Sequence, residues 1–268
     1  MEDKFASLQR LLTDMGSVAV AYSGGIDSTL LLKIAHDCLG DQAAGLTAVS
    51  PSVPAHEVAE AQEIARLIGA RHILLETSET EDERYLANTP DRCYFCKSET
   101  YDQLMPLAQA QGYRYLVDGN NADDVGDHRP GRRAARERGV RSPLQEIGIT
   151  KAEIRTMART LGLPNWDKPS AACLSSRIPY GTTITVQMLS QVERAELALR
   201  QLGLRQVRVR HHDQVARIEV EAADFPAVLE HRDEIVDELK ALGYAYVALD
   251  LAGFRSGSMN EVLPVHGR

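Results

Sequence analysis

The hexapeptide Ser23-Gly24-Gly25-Ile26-Asp27-Ser28 stands between an apolar β-branched run, SVAVAYS at 17–23, and a helix-forming stretch, DSTLLLKIAHDCLG. A helix N-terminus there presents unpaired N–H groups and the positive end of a dipole, which attract an anion. Glycine and serine let that backbone close on phosphate oxygens. A tight turn with an Asp or Ser cap is the plainer reading, but the whole hexapeptide between strand and helix favours phosphate. Gly119-Asn120-Asn121-Ala122-Asp123-Asp124 follows a later strand and reaches the same edge of a parallel sheet. Its two aspartates suit magnesium, or a solvated turn.

The cysteines supply a second chemistry. Cys93 and Cys96 form a C-x-x-C in DRCYFCK, a spacing that admits a zinc half-site, a redox pair or cluster ligation. Cys173 adds a third thiol from a proline-rich loop, and three thiolates leave one iron of a 4Fe-4S cluster open to an outside ligand such as sulfide. Cys38, on the first helix after the glycine loop, reads as a small core residue. Arg208 and Arg210 sit at i and i+2 on RQVRVRHH, so a strand puts both guanidiniums on one side, suited to phosphate or to an exposed basic face.

The elements that must position these groups alternate. Strands at 17–23, 43–50, 71–77 and 115–119 are separated by helices that include 55–70 and a stretch near 97–111, with another helix at 150–162. That order predicts an α/β fold, a parallel sheet with helices on both faces. Beyond a loop-like stretch the pattern becomes helix (185–202), two strands, helix (224–242) and strand, a smaller α+β unit. The expected organisation is 1–163, a nucleotide-binding domain; 164–182, a linker loop; and 183–268, a second domain.

The chain has 268 residues, 44% of them hydrophobic and 25% charged, as an ordinary globular protein does. A formal charge of −8 argues against a surface devoted to nucleic acid. Apolar runs are too short to span a membrane, and the acidic, amphipathic start is unlike a secretory signal, so a cytoplasmic location is expected. In a reducing compartment the four cysteines read as ligands or reactive thiols rather than disulfides.

The S-G-G-x-D-S loop resembles the pyrophosphate-binding loop of the PP-loop ATPases, which include GMP synthetase, NAD synthetase and several tRNA thiolases; a Walker sequence is absent. The resemblance implies attack on the α-phosphate of ATP, release of pyrophosphate and an adenylated substrate. It assigns Ser23, Gly24, Gly25, Asp27 and Ser28 to the pyrophosphate, Ala48 to Ser50 to adenine, and Gly119 and Asp123 to the rest of the nucleotide. Arg141-Ser142-Pro143-Leu144 and Lys151 resemble the segment before that family's last helix.

With the C-x-x-C, the segment ACLSSRIPYG (172–181) and the strand RVRH (208–211), the likeness narrows to the LarE family over nearly the whole chain. That family makes the nickel-pincer cofactor of lactate racemase, turning the carboxylates of a pyridinium-3,5-dicarboxylate mononucleotide into thiocarboxylates. The resemblance implies that Ser176, Arg177, Arg208 and Arg210 hold the mononucleotide phosphate and that Glu196 and Glu219 are candidates for a divalent metal, as Asp124 is by its own place after the fourth strand. Cys173 matches a thiol sacrificed in single-cysteine members, whereas Cys93, Cys96 and Cys173 together resemble members in which a 4Fe-4S cluster carries the transferable sulfide. ATP, Mg2+ and the cluster are the implied cofactors. A sulfur donor, a downstream nickel-inserting enzyme and further copies of this chain, as a homo-oligomer, are the implied partners. A tRNA thiolase and a regulatory nucleotide-binding module with structural zinc are the competing readings. Trp166 and Tyr94 suit stacking on a pyridinium ring, though packing under the loop is the simpler expectation.

Overall fold

The computed structural model describes residues 2–124, 130–169, 172–255 and 257–262. The chain opens with α1 (Glu2–Met15), β1 (Val18–Ala21), α2 (Ile26–Leu39), β2 (Ala43–Val49), α3 (Ala55–Ile68) and β3 (Arg71–Glu76). A short helix α4 (Glu83–Leu86) precedes α5 (Arg92–Ala110), β4 (Tyr115–Val117), α6 (Pro130–Glu137), α7 (Pro143–Glu146) and α8 (Lys151–Thr160). The remainder is α9 (Val186–Gln201), β5 (Val207–His212), β6 (Val215–Val220), α10 (Phe225–Glu230), α11 (Arg232–Ala241) and β7 (Tyr246–Leu249). No helix among the described residues is long and apolar enough to cross a membrane.

Two compact units result, one of Met1–Glu79 with Cys93–Ala171, the other of Thr80–Arg92 with Ala172–Arg268. The second unit thus takes in a segment, 80–92, that interrupts the first in sequence.

In the first unit four parallel strands run in the order β3-β2-β1-β4. Alternation along β1 feeds two cores. Val18 and Val20 pack with Leu8 and Leu12 of α1, Leu30 of α2 and Ile154 and Met157 of α8. Ala19 lies in the other core with Leu46, Tyr101 and Leu104 of α5 and Ala134 of α6. Both faces of the sheet are therefore covered, the requirement of a parallel sheet and the α/β architecture expected from the sequence. Strand order reverses at β1, with β2 on one side and β4 on the other, so the loops after β1 and β4 flank the crevice where such sheets bind ligands.

Helix α5 starts earlier than its sequence pattern suggests and takes the C-x-x-C into its first turn. The Arg92 N–H bonds the Thr89 carbonyl, which begins the helix ahead of the cysteines. The helix expected over 224–242 is instead two, α10 and α11, meeting at His231.

The second unit holds a sheet of order β5-β6-β7, with β5 and β6 antiparallel and β6 and β7 parallel. Val207 and Val209 of β5 and Ala216, Ile218 and Val220 of β6 pack with Ala195 and Leu199 of α9 and Ile235 and Leu239 of α11. The intervening residues, Arg208, Arg210, Arg217 and Glu219, belong to the other face by the two-residue period.

Gly119 gives a direct test of how the crevice is built. A Cβ there would lie 2.9 Å from the Ser28 nitrogen and 3.2 Å from the Asp27 carbonyl carbon, both backbone atoms. Gly119→Ala should destabilise the first unit by about 1–3 kcal/mol, read as a lower urea midpoint at unchanged slope; wild-type stability would mean that this close approach does not exist.

Candidate active site

Helix α2 begins after Gly25 with no side-chain hydrogen bond capping it. The serines of the loop arrange themselves around that opening. Ser28 Oγ donates to the Gly25 carbonyl at 3.1 Å, accepts from the Ser23 N–H at 3.2 Å and lies 3.2 Å from Ser23 Oγ. Gly24 has φ +69, and a Cβ on it would meet Ala61 Cβ of α3 at 2.8 Å, so only glycine fits.

Asp27 faces groups from two other segments. Lys151 Nζ lies 2.5 Å from Asp27 Oδ2, and Asn121 Nδ2 donates to Asp27 Oδ1 at 3.4 Å. The Lys151 N–H donates to Asp123 Oδ2 at 2.8 Å, while Asp124 Oδ2 accepts the Asn121 N–H at 2.9 Å. Lys151 thus links Asp27 to Asp123, and Asp124 closes the adjoining turn on Asn121. Carboxylates are the ligand type that magnesium takes, one or two of them with several waters.

Buried Asp118, at the end of β4, ties this region together. It accepts the Ser142 hydroxyl at 2.6 Å, Asn120 Nδ2 at 2.6 Å and the Tyr101 hydroxyl at 3.3 Å. Burial raises its pKa despite these donors, and raises that of Tyr101 well above the usual phenol. Ala48 lies in β2 and Ser50 just beyond it. The Ser50 hydroxyl donates to Glu79, which also accepts from Ser52 at 2.7 Å and Thr77 at 3.0 Å. Sequence reasoning missed Asp118 and Glu79, because a buried acid satisfied by hydroxyls carries no motif.

Cys93 is exposed and Cys96 half-buried, one turn apart at the start of α5. That position puts them where the helix dipole favours the negative charge of thiolates. Among the described residues no cysteine is in a disulfide, and no set of three or more His, Cys, Asp or Glu side chains is gathered for a metal ion. Tyr94 lies under the Arg133 guanidinium, 4.0 Å from its ring centroid, and its hydroxyl donates to Glu137 at 2.7 Å. Trp166 has Arg159 over its ring at 5.6 Å. Cys38 packs against the first core.

In the second unit Cys173 opens a turn whose backbone is held from several sides. Arg177 Nη1 donates to the Ala172 and Cys173 carbonyls at 2.7 and 2.9 Å, and Ser176 Oγ to the Cys173 carbonyl at 2.8 Å. Asn88 Nδ2 reaches the Pro179 and Thr182 carbonyls at 2.7 and 3.0 Å, Arg92 donates to the Ser175 carbonyl at 2.9 Å, and Tyr85 pairs with Ser175. The interrupting segment 80–92 thus cages the Cys173 turn, a role that its sequence does not signal.

Arg177, Arg208 and Arg210 are all buried, and so are Glu196 and Glu219. Arg177 makes a two-pronged pair with Glu196 at 2.8 and 2.9 Å, and Glu196 also accepts the Val209 N–H at 3.0 Å. Burial alone would raise the Glu196 carboxyl; the Arg177 charge overrides it and holds the group below the usual range. Arg210 pairs with Glu219 at 2.6 Å, and Ser258 and Arg217 share that carboxylate. Each glutamate considered as a metal ligand is therefore engaged by arginine in this structure. Arg208 is pushed down to about 10 by burial and by the neighbouring Arg177 charge. A buried guanidinium crowded by other cations is a place that favours an anion.

The segment after α8 is clasped to α3, where Lys168 Nζ lies 2.6 Å from Glu57 and 2.8 Å from Glu60. Burial would raise Glu57, but hydrogen bonds from His56 and Lys168 bring it to about 2. This stabilisation is present above the ordinary carboxyl pKa and is lost as pH falls through about 2. Lys168→Met should shift the Glu57 midpoint upward in a side-chain NMR titration and narrow the acid range over which the fold holds. An unmoved midpoint would count against the pairing.

Known proteins place this arrangement. The asparagine synthase family model matches residues 6–160, the stretch that carries the glycine loop and the loop after β4. An uncharacterized protein of Synechocystis sp. is 48% identical over 98% of this chain and 99% of its own length. The pyridinium-3,5-bisthiocarboxylic acid mononucleotide synthase of Lactiplantibacillus plantarum is 42% identical over 97% of this chain and 95% of its own. An uncharacterized protein of Methanocaldococcus jannaschii is 29% identical, covering 89% and 91%. With 42% identity to such a synthase over nearly the whole of both chains, and a PP-loop sheet bearing an uncapped helix start, the chain belongs to the LarE family of ATP-dependent sulfur transferases.

Proposed function

We propose that the protein adenylates the carboxylates of a pyridinium-3,5-dicarboxylate mononucleotide and converts them to thiocarboxylates, the chemistry named for its Lactiplantibacillus plantarum relative. The observation that carries the adenylation step is the uncapped start of α2 beside Asp27, Asp123 and Lys151. A substrate carboxylate oxygen attacks the α-phosphorus, the bond to the bridging oxygen breaks, and pyrophosphate departs toward the N–H groups of Gly25 to Ser28. Those donors and Lys151 meet the charge that grows on the leaving group. Magnesium at Asp27, Asp123 or Asp124 would neutralise further phosphate charge. Ser23, Gly24, Gly25, Asp27, Ser28 and Gly119 line the triphosphate, with Ala48 and Ser50 toward adenine.

Arg208 and Arg210, with Ser176 and Arg177, bind the mononucleotide phosphate. The supporting observation is electrostatic, since three buried arginines, Arg177, Arg208 and Arg210, lie close together and the Arg177 charge helps to push Arg208 down to about 10. A phosphate dianion suits such a concentration of guanidinium groups. Glu196 and Glu219 then serve chiefly to hold the arginines in place, and a metal on either would have to displace one.

The sulfur displaces AMP from the acyl adenylate, leaving the thiocarboxylate. Cys93 and Cys96 supply soft thiolates one turn apart on α5, and a 4Fe-4S cluster held by them with Cys173 as third ligand would supply an iron-bound sulfide. Loss of sulfur from Cys173 itself is the second reading, favoured by the care with which its backbone is held.

The test is anaerobic turnover with ATP, magnesium and the mononucleotide. AMP and pyrophosphate should form only when the mononucleotide is present, and Asp27→Ala should abolish them; ADP as product would refute the scheme. Arg208→Lys and Arg210→Lys should raise the mononucleotide requirement about tenfold or more while leaving that for ATP unchanged; equal loss of both would move the phosphate elsewhere. Iron and acid-labile sulfide in wild type, lost in Cys93→Ser, Cys96→Ser and Cys173→Ser, support the cluster. Dehydroalanine at position 173 after turnover in iron-free protein supports the sacrificial thiol.

A further inference from the structure

Asn165 is buried in the segment after α8 and touches the glycine loop directly. Its Nδ2 donates to the Gly24 carbonyl at 2.9 Å and to Thr29 Oγ1 at 3.0 Å. A carbonyl only accepts, so the amide NH2 must face Gly24. The Asn165 Oδ1 is buried with no hydrogen-bond partner among the described residues, so the side chain acts here through its donors alone.

The Gly24 carbonyl and the Gly25 N–H belong to one trans peptide and point in opposite directions. With the carbonyl anchored inward on Asn165, the Gly25 N–H is turned the other way, where its partner within the protein is Ser23 Oγ at a long 3.4 Å. Two adjacent glycines give this peptide little steric resistance to rotation. Ala61 leaves no room for a side chain at Gly24, but it does not fix the direction of the carbonyl. Asn165 does.

We infer that Asn165 is a positioning residue that sets the orientation of the Gly24–Gly25 peptide and thereby aims the Gly25 N–H at the nucleotide phosphates. The inference rests on the reading that this loop holds the triphosphate. The segment bearing Asn165 is itself secured by the Lys168 clasp to Glu57 and Glu60 of α3, the helix that also carries Ala61. Loss of the Asn165 amide would leave the Gly24 carbonyl buried without a donor, and peptide rotation would relieve that while turning the Gly25 N–H away from the phosphates.

The experiment compares magnesium-ATP, pyrophosphate and AMP binding by calorimetry in wild type, Asn165→Ala and Asn165→Asp, with thermal unfolding recorded for each. Both variants should bind magnesium-ATP and pyrophosphate about tenfold or more weakly at neutral pH while AMP affinity stays as in wild type. Asn165→Asp keeps the side-chain shape, so it guards against loss of folding in the alanine variant. Its introduced carboxyl, buried beside a carbonyl, should have a raised pKa. Once protonated it regains a donor, so its deficit against wild type at the same pH should shrink as pH is lowered. Wild-type affinity for magnesium-ATP in both variants, equal loss of ATP and AMP, or a deficit in Asn165→Asp that ignores pH would each overturn the inference. Failure of wild type itself to bind pyrophosphate or ATP would instead overturn the underlying assignment of the loop.

Discussion

A helix that begins without a side-chain cap leaves its first N–H groups with no partner of their own, and in α2 those groups open at the switch point of a parallel sheet. Everything around them keeps side chains out. Gly24 lies against Ala61 and Gly119 against the backbone of Asp27 and Ser28, at distances no Cβ would tolerate. The loops can then approach each other through backbone alone. What remains is a rim of N–H donors, serine hydroxyls and the Asp27–Lys151 pair, which suits a polyanion and little else.

The second unit meets a different constraint, the cost of burying charge. Three arginines and two glutamates lie out of water on one side of a small sheet and the helix beside it, and each glutamate is engaged directly by an arginine. Breaking one such pair leaves a buried charge uncompensated, which costs about 3–5 kcal/mol. The same guanidinium that neutralises Glu196 also donates to the Cys173 carbonyl, so the charge cluster and the thiol-bearing turn are one construction.

The fold was legible because its signals are periodic. Alternation of apolar strands with helices gave the covered parallel sheet, and the glycine hexapeptide marked the turn from β1 to α2. The C-x-x-C was visible as a pair, yet its place inside the first turn of α5 follows a backbone turn in which the Arg92 N–H meets the Thr89 carbonyl, a contact with no pattern to announce it. Asn88, Asn165, Asp118 and Glu79 stayed hidden for a common reason. Each is a buried polar side chain with at least one partner distant in sequence, and single-residue tertiary contacts of that kind leave neither period nor spacing. The segment 80–92, which interrupts the first unit in sequence and belongs with the Cys173 turn to the second, is invisible on the same grounds.

Exposure separates the two sets of ion pairs by what each must do in the proposed reaction. Asp27 and Lys151 retain about a quarter of their side-chain surface, 25% and 28%. A pair so wet contributes little to stability, so its partners can be exchanged at small cost when a triphosphate or a magnesium ion arrives. Arg177 and Glu196 retain 2% each, and no ligand could separate them without stranding a charge. The pair that ligand binding has to rearrange is therefore near water, and the pair that has to stay fixed is dry. In the proposed reaction Asp27 would hold Lys151 in place before nucleotide binds, and release of the lysine would free a carboxylate for a cation.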